Sequence, residues 1–597
     1  MLDTLRKTLA LLDQHEKRRG SLIMLMILIM AIFEVVGVAS IMPFLAVLGN
    51  PEIIRTNSNL ALLYDYFGMQ STDEFLFWLG VAAFILVILS AVFRIITHYH
   101  MNRFIEMRRH SLGQRLLERY LAQPYAFFLD RHTADMSKSI LSEVDQVVSN
   151  VFKPGVIATA YSVVSLAVIT LIIAVNPIVA IVVAVVIGGL YLLIFKSVSG
   201  RLVRIGQERA KANQERFTHA GEALSGIKDI KLLGRESVYL SRYRRGSMVY
   251  AMHQATNQTL SEVPRYLIEA IAFGSVIALS VLLMVASDNI GEVLPILGLY
   301  AFAGYKLLPA MQQVYSGASK LRFGSAAVHD LHKDLCGPLP PTRCNRDIDA
   351  PLVPVNQIAL SSVCFSYPNA SRFALRNINL TIPVGSVVGI VGGTGAGKTT
   401  LVDLFLGLLS PSAGELIVDD DVISNSNLNR WQRALGYVPQ DIFLCDASIA
   451  ENIALGVPRH QIDHDQVIEC AKMAQIHTFV IDELPDGYCS GIGERGVRLS
   501  GGQRQRLGIA RALYRDPSVL VFDEATSALD TVTEESVMEC ISEFARKKTI
   551  ILIAHRLSTV RRCDSIFLLE QGHIIAQGTF NELRSESEAF RKMSDGR

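Results

Sequence analysis

Eight consecutive residues, Gly392-Gly393-Thr394-Gly395-Ala396-Gly397-Lys398-Thr399, have the composition and spacing of a phosphate cradle. The glycines let backbone N–H groups turn toward an anion at a helix start. The lysine suits the outer phosphates, and the threonine hydroxyl suits a magnesium ion. An apolar run at Val387–Val391 precedes the cradle as a strand would, and Leu401–Leu409 follows it as a helix would. Further along, Val519-Leu-Val-Phe-Asp523-Glu524 is an apolar strand ending in two carboxylates. Asp523 is placed to hold the ion and Glu524 to polarise an attacking water. Alone, the first pattern reads as a glycine-rich turn and the second as a solvated strand end. Together in one chain they favour P-loop nucleotide hydrolysis.

Between them lies Leu499-Ser500-Gly501-Gly502-Gln503, which resembles the signature of ATP-binding-cassette (ABC) proteins. The other markers of that family fall in order. Tyr367 in Phe365-Ser-Tyr-Pro is similar to the aromatic that stacks on adenine, and Gln440 in Tyr-Val-Pro-Gln to the Q-loop glutamine. Glu494-Arg-Gly resembles the loop before the signature in exporters, Ser527-Ala-Leu-Asp530 the D-loop, and His555 the switch histidine. The resemblance covers about 355–590. It implies ATP and Mg²⁺ as cofactors and a catalytic set of Glu524, His555 and Gln440. It implies nucleotide contacts from Tyr367, from Gly392, Gly393, Thr394, Gly395, Ala396, Gly397, Lys398, Thr399 and Thr400, and from Asp523. Thr399, Gln440 and Asp523 are the implied magnesium ligands. Ser500, Gly501, Gly502 and Gln503 are implied to meet the nucleotide held by another cassette, so that two chains share two sites. A serine and two glycines at a helix start are physically suited to a second anion site.

The elements that carry this site occupy only half of the chain. Apolar spans at Ser21–Leu48, Phe75–Ile96, Val156–Val175, Ile178–Phe195, Tyr266–Ala286 and Val293–Tyr315 are each about as long as a bilayer requires. The first follows Lys17-Arg18-Arg19 but is too long for a leader's apolar core, so it reads as a membrane helix. Five Lys/Arg precede the first span, eight lie in 97–155 and twelve in Lys196–Arg245, whereas 49–74 holds only Arg55. The positive-inside rule then places the N-terminus, both long loops and the C-terminal half in the cytoplasm of a multi-pass protein of the cell membrane. Arg115–Ala122 and Arg201–Ala223 read as helices continuing out of the membrane. The expected architecture is an α-helical six-span membrane domain (1–335), a proline-bearing linker (336–354) and an α/β P-loop cassette (355–597). The membrane half resembles type IV ABC exporters, with coupling helices implied at Phe127–Ser139 and Ile227–Glu236.

Composition agrees with a mixed protein. Half the residues are apolar, 19% are charged and mean hydropathy is +0.32, too apolar for a wholly soluble or disordered chain. A formal net charge of +1 gives no field for nucleic acid, and none is expected as a partner. The eight cysteines match no zinc or disulfide pattern, which fits a reducing compartment.

Charges within membrane spans are costly and usually functional. Arg94, Arg265 and Lys306 would all lie in the inner-leaflet half, either pairing with Glu34 and Glu269 or lining a cavity for an anionic headgroup. Gly304-Tyr-Lys306-Leu-Leu-Pro309, Arg94 and the 49–74 segment resemble flippases of lipid-linked oligosaccharides. That resemblance implies a homodimer in membrane lipid that moves an amphiphilic anionic glycolipid. Export of another lipid, peptide or small amphiphile is the alternative, and an ATP-gated channel or regulatory subunit a remote one.

Overall fold

The computed structural model describes residues 2–49, 51–69, 71–175, 177–286, 290–337, 350–368, 370, 372–493, 496–524, 547–554 and 557–594. Most side chains between 175 and 187 and between 272 and 306 lie outside this description. Contacts divide the chain into two units, Met1–Gln123 with Asp130–Leu339, and Pro124–Leu129 with Pro340–Arg597.

The first unit is helical. Its long elements are α1 (Gln14–Ala39), α2 (Thr72–Leu121), α3 (Lys153–Val175), α4 (Pro177–Ser225), α5 (Glu236–Ala286) and α6 (Ile290–Phe323). Ser71 starts α2 by accepting from the Glu74 N–H at 3.2 Å, and Pro177 starts α4 where its missing N–H costs nothing. With 50 residues, α2 is roughly 75 Å long, far more than a bilayer needs. The segments of α2 and α4 that run past their apolar stretches are helical as expected. Among the described residues three segments are long and apolar enough to cross a membrane: Gln14–Gly37, Thr72–Leu121 and Thr133–Ala174. Ile27, Met30, Met101, Ala160 and Val168 pack between α1, α2 and α3, while Leu25, Ile32, Phe84 and Ile95 are at least half exposed. An apolar surface turned outward is what hydrocarbon requires.

Two helix boundaries differ from expectation. The segment expected as a helix at Phe127–Ser139 divides into Tyr125–Leu129 and Thr133–Lys138, because His132 is extended (ψ 132°). The helix expected to reach Glu236 ends at Leu233, where Gly234 takes φ +60° and caps it in the left-handed conformation. Deep in the extensions, Arg209 meets Glu143 at 3.1 Å and Asn213 donates to the other Glu143 oxygen at 3.0 Å. Both charges are buried, so each depends on the other.

The second unit holds two sheets. Strands β1 (Gln357–Phe365), β2 (Leu375–Pro383), β4 (Ala413–Val418) and β5 (Asp421–Val422) form an antiparallel sheet in the order β2-β1-β4-β5. The main sheet runs β10-β9-β3-β8-β7-β6, from β3 (Val387–Gly392), β6 (Leu435–Val438), β7 (Val519–Asp523), β8 (Thr549–Ile553), β9 (Ser565–Glu570) and β10 (His573–Gly578). Its central strands β3, β7 and β8 are parallel and buried at every position, as a sheet covered on both faces must be. Register pairs Ile553 with both Ile390 and Asp523, so the carboxyl ends of β3 and β7 are level. That edge is where open α/β sheets bind ligands.

Candidate functional site

At the end of β3 the chain turns through 393–397 into α7 (Lys398–Phe405). Gly397 begins that helix at φ +107°, and a Cβ there would sit 3.0 Å from the Ala374 carbonyl oxygen, so only glycine fits. Gly392 is equally constrained, because a side chain would run into the Leu569 carbonyl. Lys398 is buried and donates from Nζ to the carbonyls of Gly392 (2.9 Å) and Gly393 (3.2 Å). Burial lowers its ammonium below the usual lysine range, although the Glu524 and Asp523 carboxylates oppose this.

The two carboxylates at the end of β7 differ in environment. Asp523 is buried and accepts from the Tyr437 hydroxyl at 3.3 Å. Glu524 opens toward the cleft with φ +50°, a conformation that costs a non-glycine residue energy and tends to occur at functional sites. Its N–H donates to Ile553 at 3.0 Å, and its Oε2 accepts from Gln440 Nε2 at 2.9 Å. Beneath them Asp403, on α7, is also buried. Burial first, then the nearby Asp523 carboxylate, pushes it up to about 6.

A cleft of about 760 Å³ opens beside these elements and takes in Lys398 and Glu524. Tyr367, Thr394 to Thr400, Gln440 and Glu524 line it, whereas Gly392, Gly393 and Asp523 are not among its lining residues. Tyr367 is held edge-on to Phe365 at 5.0 Å, with its hydroxyl 2.8 Å from Thr400 Oγ1. A buried Asp523, a Thr399 hydroxyl on the cleft wall and Gln440 beside Glu524 form an oxygen-rich donor set that fits a hard cation such as Mg²⁺. When bound, such an ion would neutralise phosphate charge.

Some cleft residues escape sequence reasoning. Arg372, Arg376 and the hairpin turn Gln571-Gly572-His573 complete the wall. Gly572 is pinned to the cradle by its N–H to Ala396 (2.9 Å) and accepts from the Arg376 N–H (2.8 Å). Their only sequence signal is a Gln-Gly turn between two apolar strands, which says nothing about what the turn touches. Asp403 and Tyr437 carry no motif at all.

Ser500 lies elsewhere. It caps helix α8 (Gly501–Leu513) with a reciprocal box: its Oγ accepts from the Gln503 N–H at 3.2 Å, and its N–H donates to Gln503 Oε1 at 2.8 Å. None of Ser500, Gly501, Gly502 and Gln503 lines the cleft of its own chain. Glu494, the Ser527–Asp530 segment and His555 lie outside the described residues.

The three membrane cations are placed differently. Arg94 meets Glu34 across the α1–α2 contact at 3.0 Å, and Arg265 meets Glu269 one turn along α5 at 2.6 Å. Lys306 belongs to α6, and its side chain lies outside the described residues.

A parallel sheet with a P-loop at its edge, joined to long helices with an outward apolar surface, defines a nucleotide hydrolase fused to a membrane domain. Comparison with known proteins agrees. The profile of the family described as ABC transporter matches residues 375–527, and that of the ABC transporter transmembrane region matches 41–286. The chain is 31% identical over 480 residues, 79% of either sequence, to an "ATP-dependent lipid A-core flippase" of Ralstonia nicotianae. It is 33% identical over 487 residues, again 79% of either, to a protein of the same name from Cupriavidus metallidurans. It shares the fold of a bacterial Atm1-family ABC exporter solved with ATP bound, at a TM-score of 0.77 and 24% identity over 98% of this chain and 99% of the other. The chain belongs to the ABC transporters, in the half-transporter arrangement of an exporter, and binds and hydrolyses ATP coupled to transport across a membrane.

Proposed function

We propose that this protein is an ATP-driven flippase that moves an anionic glycolipid, most specifically a polyprenyl-pyrophosphate-linked oligosaccharide, across the cytoplasmic membrane. The reading divides the chain into a six-span domain (1–335), a linker (336–354) and a cytoplasmic cassette (355–597). It works as a homodimer. The observation that carries the dimer is the separation of Ser500 from the cleft of its own chain, since an anion site on a capped helix needs a nucleotide supplied from elsewhere.

Within each site, Lys398 and the cradle amides hold phosphate, and Tyr367 offers a face to the base. Thr399, Asp523 and Gln440 hold Mg²⁺. Glu524, oriented by Gln440, accepts a proton from water, and His555 contacts the terminal phosphate. The reading assigns the anionic group to Arg94, Arg265 and Lys306 on three different helices, and it requires Arg94 and Arg265 to exchange their Glu34 and Glu269 partners for the substrate. The relatives named as lipid A-core flippases support a second substrate, a lipid A-core-like amphiphile.

The deciding experiment reconstitutes the full chain and measures ATP hydrolysis and flipping with polyprenyl-pyrophosphate glycans, lipid A-type glycolipids, phospholipids and peptides. Stimulation by the first class supports the reading. Stimulation by lipid A-type molecules alone replaces the substrate, and stimulation by peptides alone overturns the lipid assignment.

A further inference from the structure

A groove of about 310 Å³ runs between α1 and α2 near the cytoplasmic ends of their apolar stretches, apart from the nucleotide cleft. It arises from matched spacing. Arg19, Leu22, Ile23 and Met26 lie at i, i+3, i+4 and i+7 on α1, and His100, Arg103, Phe104 and Met107 repeat that spacing on α2. Each helix therefore turns one mixed face, basic at some positions and apolar at others, toward the other. Gly20 lies against the Phe104 ring, where a Cβ would make ordinary contact at 3.7 Å.

The charge in the groove is unbalanced. Arg108 forms its floor, stacked 4.7 Å from the Phe104 ring centroid, but Glu16 pairs with it. Glu106 is engaged by Arg109 at 2.8 Å. Among the described residues neither Arg19 nor Arg103 forms an ion pair, and both are exposed beside His100. The result is a cationic mouth on an apolar wall. The apolar part of α1 begins just after Arg19, and Met26 lies roughly 10 Å further along the axis. Leu22 and Leu25, 60% and 53% exposed, continue the wall outward.

We propose that this groove binds one anionic phospholipid of the leaflet on that side, its phosphate between Arg19 and Arg103 and its first acyl segment along Leu22 and Met26. A free anion would gain nothing from the apolar wall, and a zwitterionic lipid brings its own cation against two arginines. The volume admits a glycerophosphate headgroup and leaves the chains to the hydrocarbon. Arginine suits this role because its planar fork matches phosphate oxygens. The lipid here is a bound partner, distinct from the transported molecule. The inference rests on the membrane reading above, and on nothing about the substrate.

The test uses the full chain in detergent, titrated with phosphatidylglycerol, phosphatidylcholine or inorganic phosphate, and reads retained lipid by native mass spectrometry. The wild type is expected to prefer phosphatidylglycerol at least tenfold over phosphatidylcholine. Arg19→Ser/Arg103→Ser should abolish that preference, and Met26→Trp, which fills the apolar part without changing charge, should weaken retention several-fold. Lys17→Ser/Arg18→Ser removes as much charge from residues outside the groove and should leave the preference intact. Equal loss in that control would mean diffuse attraction and overturn the site. So would an unchanged preference in the Arg19/Arg103 variant, or displacement of lipid by inorganic phosphate at equal concentration. Orientation is checked separately by protease digestion of intact cells and of inverted membrane vesicles, so failure of the membrane reading is distinguishable from failure of the groove.

Discussion

Gln440 donates from Nε2 to Oε2 of Glu524 across 2.9 Å, joining a loop after β6 to the end of β7. Both residues line the nucleotide cleft. Gln440 therefore orients the carboxylate, as a positioning partner of the group proposed to polarise water.

Glu524→Gln is expected to bind ATP with near-normal affinity while turnover falls by about 10²–10⁴-fold, the usual contribution of a general base. Gln440→Ala should also lower turnover, because Glu524 keeps its charge but loses its orientation, and the proposed Mg²⁺ site loses one oxygen ligand. Equilibrium nucleotide binding and steady-state phosphate release on the purified variants check both. Near-normal hydrolysis by Glu524→Gln would remove Glu524 from the role.

Shared sites have a stoichiometric signature. Ser500→Arg chains mixed with Lys398→Ala chains should regain ATP hydrolysis that neither variant has alone, since each mixed pair then contains one site with an intact cradle and an intact signature. No recovery in the mixture would mean that each cassette works alone.

Asp403 makes stability depend on pH. Its folded value of about 6 lies above the ordinary aspartate range, so the native state binds the proton more tightly than the unfolded chain does. Its cost is absent well below pH 4, grows as pH rises toward 6 and is fully present above that. Asp403→Asn should therefore stabilise the nucleotide-free protein at pH 8 by up to about 3 kcal/mol, because a tenfold difference in proton affinity is worth about 1.4 kcal/mol, and change little near pH 4. Unfolding midpoints of both proteins at the two pH values decide it. A variant gain that is larger at pH 4 would contradict the burial argument.

Arg94 needs a paired test because Glu34 is only 6% exposed. Arg94→Ala removes the guanidinium that faces this buried carboxylate and should destabilise the protein by about 1–3 kcal/mol. Arg94→Ala/Glu34→Gln should recover most of that loss. If Arg94 serves an anionic substrate, flipping stays low in the double variant even though the fold is restored. Restored flipping would assign Arg94 to the α1–α2 contact alone. Arg265→Ala breaks only an exposed pair one turn apart, and should cost a few tenths of a kcal/mol in stability.

Much of the nucleotide site is legible in the chain because phosphate binding is local. From Gly392 to Thr399 the backbone itself forms the cradle, and the constraints on Gly392 and Gly397 are satisfied by the glycines in place. The Arg265–Glu269 pair is legible for the same reason, since helical periodicity alone brings residues four apart together. The apolar spans and the skew of basic residues likewise identify a membrane half, because a bilayer sets helix length and loop charge without reference to any partner. What only the tertiary structure decides is long-range. Tyr437 meets Asp523, and Gly572 meets Ala396, because parallel register levels strands that lie far apart in the chain. Arg94 meets Glu34, and Arg19 and Arg103 line one groove, because α1 packs on α2 at one axial offset among several that the apolar pattern alone would allow. Side-chain periodicity fixes which face of a helix is turned inward, but the axial match between two helices is set by the volumes that interlock between them, and that information exists only once both are in contact.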